Sequence, residues 1–120
     1  MFGIFLIAEP ESEPMPEVFE YNGEEIEESA LEKSNELRSE AMSQMSEGNF
    51  AEAVEIFTKA IKVNPESSVL YAKRAQTLLK QKRVKAVIAD CDEAIKRNPD
   101  SCLAHKLRGR AYRSVFFSVL

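Results

Sequence analysis

KAIKVNPES, residues 59–67, and EAIKRNPDS, residues 93–101, decide how this chain folds. Six of the nine positions are identical at an offset of 34 residues, among them Ala60 with Ala94, Ile61 with Ile95, Asn64 with Asn98 and Pro65 with Pro99. The chain is rich in Lys and Glu, poor in Gly and without Trp, a composition that favours helices. A fixed offset of this size in such a chain marks a helical unit too small to bury its own apolar face, completed by stacking on its neighbour. Pro65 and Pro99 close each unit, because proline breaks a helix and makes the chain turn.

Working outward, small Ala53, Ala60 and Ala94 let two helices approach closely, while Phe57 and Cys91, one period apart, fill the layer between them. Gly48 reads as a helix stop, Asn49 as an N-cap and Glu52 as its capping partner. These anchors predict helices at about 24–47, 50–63, 67–81, 84–97 and 101–117. An offset of 34 is the tetratricopeptide period, two antiparallel helices to a repeat. The expected fold is therefore all-α, a right-handed superhelical array of tetratricopeptide-type stacked hairpins. Two full repeats, about 34–67 and 68–101, are followed by the first helix of a third, 102–113, in a domain spanning 24–113. The second repeat carries the pattern more loosely, and its turn Gln81–Arg83 has no Gly. The ending SVFFSVL, residues 114–120, is apolar and outside the pattern, and is expected to be partly exposed, to self-associate or to be a loose tail.

Charge divides the chain. Residues 1–36 hold eleven Glu against the single Lys33, a net of −10, and residues 37–120 hold nine acidic against fifteen basic residues, a net of +6. A Pro-containing acidic head buries too little apolar surface to order itself, so residues 1–23 are expected to be disordered or to lie against the basic body.

Catalytic chemistry finds no foothold. Cys91 and Cys102 have no metal-ligand spacing and read as reduced thiols, Cys91 as a small buried hydrophobe. His105, the single histidine, falls where such repeats carry a packing aromatic. Asp90 and Asp92 cannot share a helix face, and no phosphate-cradling Gly-rich loop is present. Neither catalytic residues nor a metal site nor a cofactor is expected. Phe2–Ala8 is apolar but has no basic region before it and is too short to span a membrane; the expected location is cytoplasmic. RNA or another anionic surface could meet Lys73, Lys80, Lys82, Arg83, Lys85, Lys106, Arg108, Arg110 and Arg113, but stacking aromatics other than Tyr112 are missing, which disfavours that reading.

The segments VLYAKRA at 69–75, DCDEAIKRNPDS at 90–101 and KLRGRAYR at 106–113, with EYNGEEIEESALEKSNELRSEAM at 20–42, resemble the Hip co-chaperone family over residues 10–113. The likeness reaches positions outside the packing pattern, Lys73, Arg74 and Asp90. It implies binding to the nucleotide-binding domain of a heat-shock protein 70 family chaperone and slower loss of its ADP. That family also carries an N-terminal dimerisation segment, a charged helical region, Gly-Met-Pro repeats and an aspartate-proline-type domain, none of which is found in these residues. The chain reads as a truncated form in which dimerisation and client binding are not expected.

Stacked hairpins make a curved array whose groove is lined by the first helix of each repeat. Helical spacing places Arg38 and Met42 there from the first repeat, Lys73, Gln76 and Lys80 from the second, and Leu103, Lys106, Leu107 and Arg110 from the third. Carboxylate-clamp tetratricopeptide proteins grip acidic chaperone C-termini with Lys, Asn, Asn, Lys and Arg. The corresponding positions here are Arg38, Met42, Lys73, Leu103 and Leu107. Weak peptide binding, and contact with a folded partner domain, are expected. The other reading of the same groove is a non-catalytic interaction scaffold.

Overall fold

The computed structural model describes residues 13–119, with side chains as far as Phe117. Among the described residues five helices follow one another: α1 Glu28–Ser46, α2 Phe50–Val63, α3 Ser68–Lys80, α4 Val84–Arg97 and α5 Cys102–Val119. α1 packs on α2 and α3 on α4 as antiparallel hairpins, α2 packs on α3, and α5 lies against both α4 and α3. The all-α stack of hairpins expected from the 34-residue period is the observed architecture.

The turns show why the period holds even where residues change. Gly48 takes φ +84, and its N–H donates to Met45 O while Asn49 N–H donates to Gln44 O, the left-handed closure that satisfies the last carbonyls of a helix. One period later, Lys82 takes φ +59 and the same pair of bonds runs from Lys82 to Leu79 and from Arg83 to Leu78. A lysine thus accepts the strain that glycine avoids. Asn49 does not cap α2 as expected. Its amide donates to Gln44 Oε1 at 2.8 Å, leaving that helix start without a side-chain cap. α1 begins at Glu28 rather than near 24, because Asn22 Oδ1 accepts from Glu24 N–H and Gly23 sits at φ +84, a turn that excludes the helix.

Small residues carry the close approaches: Ala41, Ala53, Ala60, Ala75, Ala86 and Ala94 are fully buried around Phe57, Ile61, Tyr71, Leu78 and Val87. Two serines staple consecutive elements at equivalent places. Ser34 Oγ donates to Ala60 O at 3.3 Å, and Ser68 Oγ to Ala94 O at 2.8 Å, both across 26 residues.

At the centre lies an ion pair. Arg74 Nε and Nη2 donate to the two carboxylate oxygens of Asp90, both at 2.8 Å, and neither side chain has any exposure. Burial pushes the Asp90 carboxyl up, and the Arg74 guanidinium beside it pulls the other way. Arg74 and Asp90 were expected to stand outside the packing; they are instead the polar part of the core. A guanidinium can substitute for an apolar residue there because every edge of its fork finds an acceptor.

The described part of the acidic head lies against the body, the second of the two expectations for it. Residues 1–12 lie outside the described part. Residues 14–22 run extended across α3 and α4, and Phe19 packs on the core. Arg83 Nη2 donates to Pro14 O at 2.6 Å, Arg74 Nη2 to Glu17 O at 2.7 Å, Arg97 Nη2 to Phe19 O at 3.2 Å, and Phe19 N–H to the Tyr71 hydroxyl at 3.1 Å. The Glu13 carboxylate accepts from Ala86 N–H at 3.1 Å, supplying to the first turn of α4 the cap that Arg83 cannot. Composition left open whether the head is disordered or lies against the basic body. Composition cannot register that three arginines wait for backbone carbonyls.

Three measurements check this account. Asp90→Ala strands a buried guanidinium and is expected to cost about 3–5 kcal/mol in urea unfolding, whereas Arg74→Met with Asp90→Leu together should recover more than half of the loss. Lys82→Gly relieves the left-handed strain and should raise stability by about 0.5 kcal/mol, with Lys82→Val lowering it. Burial, with Asp90 and Asp92 nearby, pushes the Cys91 thiol up to about 12, while Cys102 is exposed. Because the thiolate is the reacting form, iodoacetamide at pH 8 should label Cys102 alone in the native chain and both cysteines in urea; equal native labelling would contradict it.

Candidate partner-binding groove

A helix turns about 100° per residue, so Val69, Lys73, Gln76 and Lys80 form one stripe along α3, and Tyr71, Arg74 and Leu78 another on the opposite side. The second stripe is buried under α4 and the strap. The first, which carries the expected groove residues of this helix, is turned toward solvent: Val69 and Lys80 are exposed, and Lys73 and Gln76 are half-buried.

The same register recurs in the flanking helices. Met42, Gln76 and Arg110 stand at intervals of 34 residues, with Met42 and Arg110 both exposed. Arg38 and Lys106 share another register position and are exposed, and the equivalent residue of α3 is the buried Ala72. α1 and α3 meet where Thr77 Oγ1 approaches Met45 Sδ at 3.4 Å, and α3 meets α5 directly. Arg38, Lys73, Lys80, Lys106 and Arg110 form no ion pair with another described residue.

Two expected groove residues behave differently. Leu107 is only 2 % exposed and belongs to the core, because the face Ala104, Leu107, Ala111 is turned against α3 and α4. It cannot offer a side chain to a ligand. Leu103 is half-buried and packs on the same core. Lys73, at the register position of Leu107, keeps partial exposure because a lysine can cover the seam with its stem and leave the ammonium in water.

Other basic residues of the body are already engaged. Arg83 holds the strap through Pro14 O and lies 3.7 Å from Glu13, and Arg108 donates to Asp92 at 2.8 Å. His105 does not pack as an aromatic; it is exposed, with Nε2 2.8 Å from Pro99 O. Beyond it on α5, Tyr112, Phe116 and Phe117 are 52 %, 60 % and 62 % exposed, so the described part of the apolar ending is open.

Sequence reasoning missed the opposite side altogether. Tyr71, Arg74, Arg83 and Arg97 make a second lined surface, with Arg97 stacked 4.1 Å from the Tyr71 ring centroid and donating to Pro65 O at 2.6 Å. One signal was available: Arg74 and Arg108 are one period apart, and each reaches back 16 residues, to Thr58 and Asp92.

With this geometry in hand, comparison with known proteins is informative. The tetratricopeptide repeat family model matches residues 44–111. Hsc70-interacting proteins 1 and 2 of Drosophila melanogaster are each 38% identical over 107 residues, which is 89% of this chain and 28% of theirs. The TPR repeat-containing thioredoxin TDX of Arabidopsis thaliana is 39% identical over 88% of this chain and 27% of its own. The chain thus spans little more than a quarter of the length of these relatives. Among solved structures, the Arabidopsis OM64 TPR domain superposes with a TM-score of 0.71 at 24% identity, covering 73% of each chain. The first TPR of Spaghetti (RPAP3), bound to an HSP90 peptide, does so with a TM-score of 0.68 at 26% identity, covering 71% of this chain and 67% of that one. The tetratricopeptide repeat is a protein-interaction scaffold. The chain belongs to the tetratricopeptide repeat family, and its repeat region is like that of the Hsc70-interacting proteins.

Proposed function

We propose that this chain is a Hip-like co-chaperone or adaptor that binds the nucleotide-binding domain of a heat-shock protein 70 family chaperone, stabilises its ADP state and so assists protein folding in the cytoplasm. The observation that carries the reading is the row of cations on α1, α3 and α5 that form no ion pair among the described residues: Arg38, Lys73, Lys80, Lys106 and Arg110. A basic face of this kind speeds encounter with an acidic surface and fixes its orientation, with an effect that weakens as salt rises. The relatives named for interaction with Hsc70 supply the class of partner. No helix among the described residues is long and apolar enough to cross a membrane.

Acidic chaperone C-termini are the weaker ligand in this proposal, although the first and second TPR of Spaghetti, both structural neighbours, each hold an acidic HSP90 peptide. Of the five clamp positions, Leu107 is in the core, Leu103 is half-buried and apolar, and Met42 offers no donor. Arg38 and Lys73 remain, and two cations hold a carboxylate far less firmly than a full set of charge-assisted donors.

Titration of the whole chain against a purified chaperone nucleotide-binding domain with ADP, beside the acidic C-terminal peptide, tests both statements. Domain binding should be at least tenfold tighter than peptide binding, and Lys73→Glu and Arg110→Glu should each weaken it severalfold. Tight peptide binding without domain binding, or domain binding indifferent to both reversals, overturns the proposal.

A further inference from the structure

The strap of residues 13–22 occupies a surface that has the features of a peptide-binding site. Its floor is α3, its wall is α4, and it lies on the side of α3 opposite to Lys73, Gln76 and Lys80. Most of its grip is on the backbone: Arg83, Arg74 and Arg97 donate to the carbonyls of Pro14, Glu17 and Phe19, and the Tyr71 hydroxyl accepts from Phe19 N–H. Bonds to main-chain atoms are indifferent to side-chain identity, as they are when a sheet edge takes up a strand. Two side chains set the register. The Glu13 carboxylate caps α4 at Ala86 N–H, 3.7 Å from Arg83 Nε, and six residues on, Phe19 packs against the core.

Much of the seat is held by groups of the repeats themselves. Arg74 is fixed by Asp90 and Thr58, and Arg97 by Glu93, Pro65 O and the Tyr71 ring. The strap, by contrast, joins α1 through residues 20–27, which are exposed apart from the half-buried Ile26 and contain Gly23 at φ +84. None of these strap bonds involves a residue of α1.

We propose that this surface is a second interaction site, distinct from the concave groove, which takes an extended acidic segment of another protein carrying a carboxylate six residues before an aromatic ring. The chain's own residues 13–19 are its resident competitor. Charge complementarity selects the occupant at one end: Arg74 and Arg97 have their carboxylates within the repeats, Arg83 meets only the strap's Glu13, and residues 13–22 carry three Glu and no basic residue. Tethering holds the strap at an effective concentration in the millimolar range, so a free segment competes only when it binds better or when the strap is weakened. The apparent affinity in the intact chain falls by the fraction of time the seat stands empty.

A fluorescent peptide of residues 13–21, EPMPEVFEY, added to the whole chain tests this by anisotropy. The Glu13→Gln, Phe19→Ala variant has a weakened strap and should bind the peptide at least tenfold more tightly than the unaltered chain. Adding Arg97→Ala to that variant should abolish the gain, and adding Lys73→Glu should leave it unchanged. Circular dichroism melts establish that each variant is folded, and Glu13→Gln alone, which removes the strap's charge beside Arg83 and leaves Phe19 in place, replaces the double variant if that one unfolds. A folded variant that ignores the peptide, or binds it equally with and without Arg97, overturns the proposal. So does a dimer of the unaltered chain, seen by light scattering and lost in the double variant, because the occupant is then the strap of a second copy.

Discussion

The fork between Arg74 and Asp90 is the constraint on which the rest of this structure turns. A guanidinium has five N–H donors, and in a dry interior each of its nitrogens needs an acceptor. Two are committed to Asp90 on α4, one reaches Thr58 on α2, and one reaches the carbonyl of Glu17 in the strap. One side chain of α3 therefore sets the position of both neighbouring helices and of the segment laid across them. Apolar residues of similar volume could hold the helices together at less cost in desolvation. They could not fix the angular setting of three elements at once, and they would leave the strap without its central anchor.

Repetition in this molecule is more regular in its interactions than in its letters. Gly48 and Lys82 close their helices by the same two bonds, although only one is a glycine. Ser34 and Ser68 staple equivalent carbonyls. Arg74 and Arg108 both reach back to the preceding unit, one finding a hydroxyl and the other a carboxylate. What recurs every 34 residues is a requirement on the backbone or on a donor, and several side chains can meet it. This explains how the second repeat keeps its shape while matching the pattern loosely.

That distinction also sets how much could be read in advance. Alanines at 53, 60 and 94 and the prolines at 65 and 99 have uses that depend on local geometry and period, so the hairpins and their limits were legible. Positions whose role depends on what a distant segment brings were not. Arg74 is a solvated charge on a helical wheel until Asp90 and Glu17 are known to lie beside it. Leu107 shares its register with a groove lysine, and only the packing of α5 on α3 and α4 shows that it turns inward. Glu13 reads as one acid among many until the uncapped start of α4 is seen 73 residues away.

The strap changes what the charge of the chain means. Counted along the sequence, an acidic head and a basic body invite the idea that the head covers whatever basic surface the body offers. In space, the described part of the head covers one side of α3 only, the side of Arg74, Arg83 and Arg97, giving them carbonyl acceptors and a single carboxylate, while Asp90 and Glu93 of α4 balance the charges of Arg74 and Arg97. Lys73 and Lys80 point the other way and keep their charge. Since exposed charges more than about a Debye length apart are screened from one another at physiological salt, while those on one face add, the two sides of α3 present different fields. A helix about 10 Å across thus separates a surface satisfied from within the chain from one that is not.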